Sequence, residues 1–89
     1  MKAVLSVIGR DRVGIVHEIS GALANHRINI LDINQTLMED YFTMIMLVDL
    51  KECDEDFDAL VDCYSRLGEE MGMSIRIQHQ ALFDAMHQL

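Results

Sequence analysis

Two stretches of this sequence are apolar at nearly every position, and they constrain the fold more than any other feature. The first covers residues 2–8, where Ser6 is the one polar residue after Lys2, and the second covers residues 41–50. A strand with one solvent-exposed face alternates apolar and polar residues. A continuous apolar run of this length is typical of a strand shielded from solvent on both faces. The sequence therefore predicts two central strands of one sheet.

Two segments have the spacing of amphipathic helices. The first is expected from about residue 13 or 14 to about Asn25, and the second has the acidic residues Asp54, Glu55, Asp56 and Asp58 at its start. Acids at that position suit the positive end of a helix dipole, and they lack the ligand spacing of a calcium loop. The apolar stripes that predict the helices are Ile15, Val16, Ile19 and Leu23 in the first and Phe57, Leu60, Val61, Tyr64, Leu67 and Met71 in the second.

The remaining two strands are expected at the edges of the sheet. Residues 29–38 place Leu31, Ile33 and Leu37 on one face and polar residues on the other, and residues 73–78 alternate in the same way. The order strand, helix, strand, strand, helix, strand then predicts an α+β, ferredoxin-like βαββαβ sandwich. Right-handed crossovers give a four-stranded antiparallel sheet of order 4-1-3-2 with two helices on one face.

The C-terminal stretch adds one short helix to this plan. Residues 80–89 place Ala81, Leu82, Ala85, Met86 and Leu89 on one helical face. The predicted division is a domain at residues 1–80 and a helical extension at residues 81–89, which docks on its own domain or on a neighbouring subunit.

Charge argues against several classes of partner. The chain has 15 acidic and 7 basic side chains and a formal net charge of -8. Binding to nucleic acid or to an anionic membrane surface needs clustered Lys and Arg, and no apolar run approaches the roughly 20 residues of a membrane-spanning helix. We expect a cytoplasmic protein with no nucleic-acid partner and no membrane association.

The cysteines and histidines show no metal or redox motif. Cys53 and Cys63 are ten residues apart, which matches neither a redox pair nor a zinc ribbon. His79 and His87, together with the other histidines, share no ligand spacing. The sequence therefore predicts two reduced structural thiols, no metal site and no cofactor.

The polar turn at residues 9–16 is the best candidate for a binding site. It lies between the first strand and the first helix, where unpaired backbone N–H groups and the helix dipole favour a carboxylate or phosphate. Asp11 is equally consistent with an ordinary helix N-cap. The turn lacks the Gly-Lys-Ser/Thr of a phosphate-binding P-loop and the Gly-x-Gly-x-x-Gly of a dinucleotide site.

The residues of this turn, with Ser20-Gly21-Ala22-Leu23, Ile28-Asn29-Ile30 and Gln35, resemble the ACT domain over nearly the whole chain. The chain is similar to small stand-alone ACT proteins and to the ACT modules of the glycine-cleavage repressor and of formyltetrahydrofolate deformylase. It departs from the family pattern at Val13, where proline is usual, and at Arg27, where glycine is common.

The resemblance implies a non-catalytic regulatory module that binds an amino acid or similar small metabolite between two domains of a homodimer. Asp11 would accept from the ligand ammonium, while the N–H groups of Gly14 and Ile15 and the amide of Asn29 would donate to its carboxylate. The implied ligand-binding residues are Asp11, Arg12, Val13, Gly14, Ile15, Asn29 and Ile30.

Two other functions compete with this interpretation. The chain could be an interaction module that dimerises without a small ligand, because one apolar face of the central strands would stay uncovered in a monomer. Catalysis is disfavoured, since His17, Glu18 and Asp11 are the titratable residues near the turn and His17 suits a solvent-facing helix position. We expect no catalytic residue, and an output that passes through a regulated protein of unknown identity.

Overall fold

The computed structural model describes residues 1–86 and contains four strands and three helices over that range. The elements, in chain order, are β1 (Lys2–Arg10), α1 (Ile15–Asn25), β2 (Asn29–Met38), β3 (Tyr41–Asp49), α2 (Phe57–Met71), β4 (Ser74–His79) and α3 (Gln80–Met86). The strands form one antiparallel sheet of order β2-β3-β1-β4. The ferredoxin-like βαββαβ fold and its strand order are confirmed.

The core lies between one face of the sheet and the helices α1 and α2. Ala3, Leu5 and Val7 of β1 are fully buried, and so are Met44 and Met46 of β3. They pack in a single cluster with the apolar stripes of α1 and α2, of which Ile19, Leu23, Leu60 and Tyr64 are the most deeply buried members. Alternate residues of both central strands therefore supply the sheet half of the core.

The other face of the sheet is only partly covered, which differs from the shielding expected for both central strands. Ile8 of β1 is 50% exposed and Ile45 of β3 is 39% exposed. Val4 also points to this face and is 5% exposed, and α3 contacts both β1 and β4. We call this surface of β1 and β3 the open face.

Strand β2 is an edge strand, as predicted, but the prediction that it is half-buried is wrong. Ile30 is half-buried, and every other residue of Asn29–Met38 is exposed. A β-bulge at Leu31 shifts the register, so that Ile30 lies opposite Val48 while Asp32 lies opposite Leu47. Because of the bulge, Ile30 lies on the helix side of the sheet, as does Ile33, which is opposite Met46.

Helix α3 begins at Gln80, and residues 87–89 of the predicted extension lie outside the described residues, so the domain division stays a prediction. Within residues 1–86, none of the helices has the length and apolar character required to cross a membrane.

Candidate functional site

The turn between β1 and α1 is shaped by Gly14, which is the N-cap residue of the helix. Gly14 has φ 93°, in the left-handed region where a side chain is strained, and its carbonyl accepts from the Glu18 N–H at 2.9 Å. No side chain caps the helix. The alternative that Asp11 serves as an ordinary N-cap is therefore wrong, and its carboxylate is available for other contacts.

The turn is tied to the β2–β3 hairpin by backbone and side-chain contacts. The Asp11 N–H donates to the Asp40 carbonyl at 2.8 Å. Arg10 Nη1 donates to Asp40 Oδ2 at 2.7 Å, and its guanidinium lies 5.8 Å from the centroid of the Tyr41 ring. These contacts hold the main chain of Asp11 against the hairpin, so the position of its side chain is fixed by elements far apart in sequence.

Charge at the turn is largely neutralised except at Asp11. Arg12 forms an ion pair with Glu18, with 2.8 Å between Nη2 and Oε2, and Arg10 forms an ion pair with Asp40. Within residues 1–86, Asp11 has no ion pair. It is the one charged group of the turn that a ligand could neutralise.

Asp11 lines an open cleft of about 340 Å³ beside the β2–β3 hairpin. The other lining residues are Gln35, Thr36, Leu37 and Phe42. Leu37 is 59% exposed and lies opposite Phe42 in the β2–β3 ladder, so the two form an apolar wall. The cleft thus offers an anionic acceptor, a side-chain amide and an apolar surface.

The other predicted ligand-binding residues of the turn differ in their exposure and in their partners. The Val13 side chain is 96% exposed, whereas Ile15 is 2% exposed and belongs to the core. Arg12 is occupied by Glu18. Among the residues of the turn, Asp11 is the one that lines the cleft.

Asn29 and Ile30 lie at the opposite end of the sheet from the turn. Asn29 is opposite Asp49, which is opposite Lys2, whereas Asp11 follows Arg10 at the other end of β1. Arg10 is eight residue steps along the strand from Lys2, which corresponds to roughly 26 Å at the rise of a strand. One chain does not bring Asn29 and Asp11 together.

A family model described as the ACT domain matches residues 2–78 of the chain. The chain belongs to the ACT domain family. A UPF0237 protein of Neisseria meningitidis serogroup A is 45% identical over 87 residues, which is 98% of this chain and 97% of that protein. Members of the ACT family are typically regulatory ligand-binding modules.

Solved structures agree with this assignment. An ACT domain protein from Streptococcus pneumoniae has a TM-score of 0.83 and 39% identity, covering 98% of both chains. A formyltetrahydrofolate deformylase from Pseudomonas syringae has a TM-score of 0.79 and 27% identity, covering 88% of this chain and 27% of the deformylase. A putative glycine cleavage system transcriptional repressor shares the fold, with a TM-score of 0.70 and 21% identity over 86% of this chain and 44% of the repressor chain. The resemblances drawn from the sequence are confirmed.

The sequence identified Asp11 but not the apolar wall of this ACT domain's cleft. Leu37 and Phe42 belong to strands in the sequence pattern, and their closeness to Asp11 depends on how β1, β2 and β3 pair. The described residues contain no group of three or more His, Cys, Asp or Glu side chains that could hold a metal ion.

Proposed function

We propose that this ACT domain is a non-catalytic regulatory module that binds an amino acid or similar small metabolite at the interface of a homodimer. The observation that carries the proposal is Asp11, whose carboxylate neither caps α1 nor forms an ion pair within residues 1–86, and which faces a cleft. Within the described part of the chain, the fold makes no use of this carboxylate, and its place beside a cleft supports a role in binding.

The lining of the cleft suits a ligand with an ammonium group and an apolar side chain. The ammonium would lie at Asp11, the Gln35 amide would add a hydrogen bond, and the apolar part would contact Leu37 and Phe42. A purely anionic ligand would be repelled by the Asp11 carboxylate. The ligand carboxylate would have to be bound by donors from outside this set.

A second copy can supply those donors. If two copies pair their β2 edges in antiparallel fashion about a two-fold axis, the start of one β2 lies beside the end of the other. Asn29 of one copy would then approach the cleft that contains Asp11 of its partner. The exposed edge of β2 supports this pairing, because Ile33 and Leu37 on it are 40% and 59% exposed.

Thermal unfolding in the presence of each of the twenty amino acids tests the proposal. A ligand at 100 times its Kd adds about 2.7 kcal/mol to the free energy of unfolding, which raises the midpoint by roughly 11 to 22 °C in a domain of this size. Asp11→Ala should abolish the shift, whereas Asp62→Ala, which removes an exposed carboxylate of α2, should leave it unchanged. No shift with any amino acid would contradict the proposal.

Mixing two inactive variants tests the shared site directly. Asp11→Ala and Asn29→Ala homodimers should each fail to bind, because every site lacks one partner. In a heterodimer of the two, one of the two sites keeps both Asp11 and Asn29. After random exchange of subunits, about one quarter of the wild-type binding capacity should return; no recovery would contradict a site built from both copies.

Dimerisation without a small ligand is the second candidate function, favoured by the exposed apolar residues of the open face. Ile8, Tyr41 and Ile45 are 50%, 52% and 39% exposed. If association is the whole function, Asp11→Ala should change no property beyond stability. In either case we expect the protein to act in the cytoplasm on a regulated protein. If it binds a small ligand, its affinities for the ligand and for that protein are coupled.

A further inference from the structure

A second cluster of chemically active side chains lies away from the cleft, where the end of α1 meets α2. It contains His26, directly after α1, with Cys63 and Tyr64 of α2. His26 Nδ1 is 2.9 Å from the Ala22 carbonyl oxygen and 3.1 Å from the Tyr64 hydroxyl. His26 Nε2 is 3.8 Å from Cys63 Sγ.

These contacts determine the tautomer of His26. The Ala22 carbonyl oxygen can only accept, so Nδ1 must carry the proton and donate it. In the neutral imidazole, Nε2 is then unprotonated and can accept the Cys63 S–H proton. A histidine held in this way can act as the base for the thiol beside it.

Tyr64 contributes to the orientation of the imidazole. It is fully buried, its ring contacts the His26 ring edge-on at a centroid distance of 5.6 Å, and its hydroxyl oxygen shares the Nδ1 proton. Burial, together with the nearby thiols of Cys63 and Cys53, raises the pKa of Tyr64 above its ordinary value. The phenol stays neutral at physiological pH, so it holds the ring without adding charge.

Cys63 is accessible to a small molecule. It is half-buried and lines an open groove of about 370 Å³. Ala22 and Leu67 form apolar walls of the groove, and Arg66 and Glu70 place one cation and one anion beside the thiol. Within residues 1–86, neither Arg66 nor Glu70 belongs to an ion pair.

We propose that Cys63 is a modification site that undergoes thiol–disulfide exchange with small disulfides bearing carboxylate and ammonium groups. The Cys63 S–H proton passes to His26 Nε2, and the thiolate attacks one sulfur of the disulfide. The new S–S bond forms as the old one breaks, and the departing thiolate takes the proton from His26. One thiol and one disulfide give one mixed disulfide and one free thiol, with no other oxidant.

The groove also sets which disulfides react. Arg66 would pair with a carboxylate of the incoming molecule and Glu70 with its ammonium, while the methylene groups lie between Ala22 and Leu67. This site is separate from the Asp11 cleft and does not depend on the function proposed for that cleft.

The reaction of the full-length reduced protein with oxidised glutathione tests the proposal, with Cys53 as an internal reference because it is also half-buried. Mass spectrometry of the quenched peptides gives the modification rate of each cysteine. We expect Cys63 to react at least tenfold faster than Cys53. In His26→Gln the rate at Cys63 should fall to within about twofold of that at Cys53, and in the control His17→Gln both rates should be unchanged.

A second variant keeps the test valid if His26→Gln disturbs the fold. Arg66 is exposed and outside the core, so Arg66→Gln should fold normally. It should slow the reaction of Cys63 with oxidised glutathione severalfold and leave its reaction with the neutral hydroxyethyl disulfide unchanged. Equal rates at Cys63 and Cys53 in the native protein, no effect of His26→Gln, or equal effects of Arg66→Gln on both disulfides would each overturn the proposal.

Discussion

Gly68→Ala is expected to destabilise the protein, although replacing glycine by alanine normally favours a helix. Gly68 is buried near the end of α2, where the chain turns into β4. A Cβ at this position would lie 2.6 Å from the Met73 carbonyl oxygen and 3.2 Å from the Ile75 amide nitrogen. Both are main-chain atoms, so the helix and the strand would have to move apart.

The close approach belongs to the motif that ends α2. The Met73 N–H donates to the Gly68 carbonyl at 2.8 Å, and the Gly72 N–H donates to the Glu69 carbonyl at 3.3 Å, in the Schellman pattern. Gly72 has φ 70°, so the turn is fixed in a left-handed conformation. The backbone around Gly68 therefore has little freedom to give way.

The size of the effect follows from two opposing contributions. Overpacking against a main-chain atom costs up to about 3 kcal/mol, and alanine gains about 1 kcal/mol over glycine in a helix. At the upper limit the net loss is about 2 kcal/mol, which lowers the midpoint of thermal unfolding by roughly 8 to 16 °C. The same substitution at Gly21 of α1, where a Cβ meets nothing within 4 Å, should raise the midpoint instead.

Thermal and urea unfolding of both variants beside the native protein measure the difference. The urea m-value should stay constant, so that the change in midpoint reports stability alone. If Gly68→Ala melts at or above the temperature of the native protein, the helix and strand can separate at little cost. The argument from the close main-chain contact would then be wrong.

Three further substitutions test the backbone and the buried tyrosine. Arg27 follows the end of α1 with φ 59°, and its ion pairs with Glu52 and Asp54 are long and exposed. Arg27→Gly should therefore raise the free energy of unfolding by about 0.5 to 1 kcal/mol, measured by thermal unfolding. Arg27→Ala keeps the backbone strain and should not raise it. Glu39 has φ 57° in the β2–β3 turn, and Glu39→Gly should raise the urea midpoint by a similar free energy, with Glu39→Ala as its control. Because the folded pKa of Tyr64 is raised, an unfolded tyrosine ionises from about pH 10 while the folded one does not. Stability should therefore fall as the pH rises above 10, and chemical denaturation at pH 8 and 10.5 should show a smaller fall in Tyr64→Phe.

The features predicted correctly from the sequence are those that depend on neighbouring residues. The helical spacing of Phe57, Leu60 and Tyr64 located α2, and the continuous apolar runs located β1 and β3 at the centre of the sheet. Periodicity within one segment decides which face can be buried, and it needs no knowledge of the partner strand. Strand order then followed from the polarity of the segments and the handedness of crossovers.

The burial of β2 could not be predicted in the same way. The bulge at Leu31 arises from how β2 pairs with β3, and it places Ile30 on the same face as Ile33, although strict alternation would put them on opposite faces. Ile33 still shares the helix side with Met46, but it is 40% exposed because the helix layer does not reach it. Pairing register and the reach of neighbouring elements are tertiary properties, so local polarity gave the wrong expectation.

The candidate site shows the same division between local and tertiary information. Asp11 stood out because its neighbours form a strand-to-helix turn, but whether it caps the helix depended on which residue adopts the N-cap geometry. Leu37 and Phe42 lie beside Asp11 because β1 pairs with β3 and β3 with β2, and the Asp11 N–H also donates to the Asp40 carbonyl of the hairpin turn. The sequence could therefore locate the turn, and the structure was needed to show what lies beside it.

The anchoring of the turn bears on how ligand binding would be transmitted. The Asp11 main chain and Arg10 are both bound to Asp40, so the cleft is preformed within one copy. A ligand that reaches from Asp11 of one copy to Asn29 of the other would then change the association of the two copies more than the shape of either. Because the two equilibria are linked, a ligand that binds only the dimer makes dimerisation more favourable, and dimerisation makes ligand binding more favourable by the same free energy. On the proposed function, the dimer dissociation constant should therefore fall as ligand is added, and Asp11→Ala should remove that dependence.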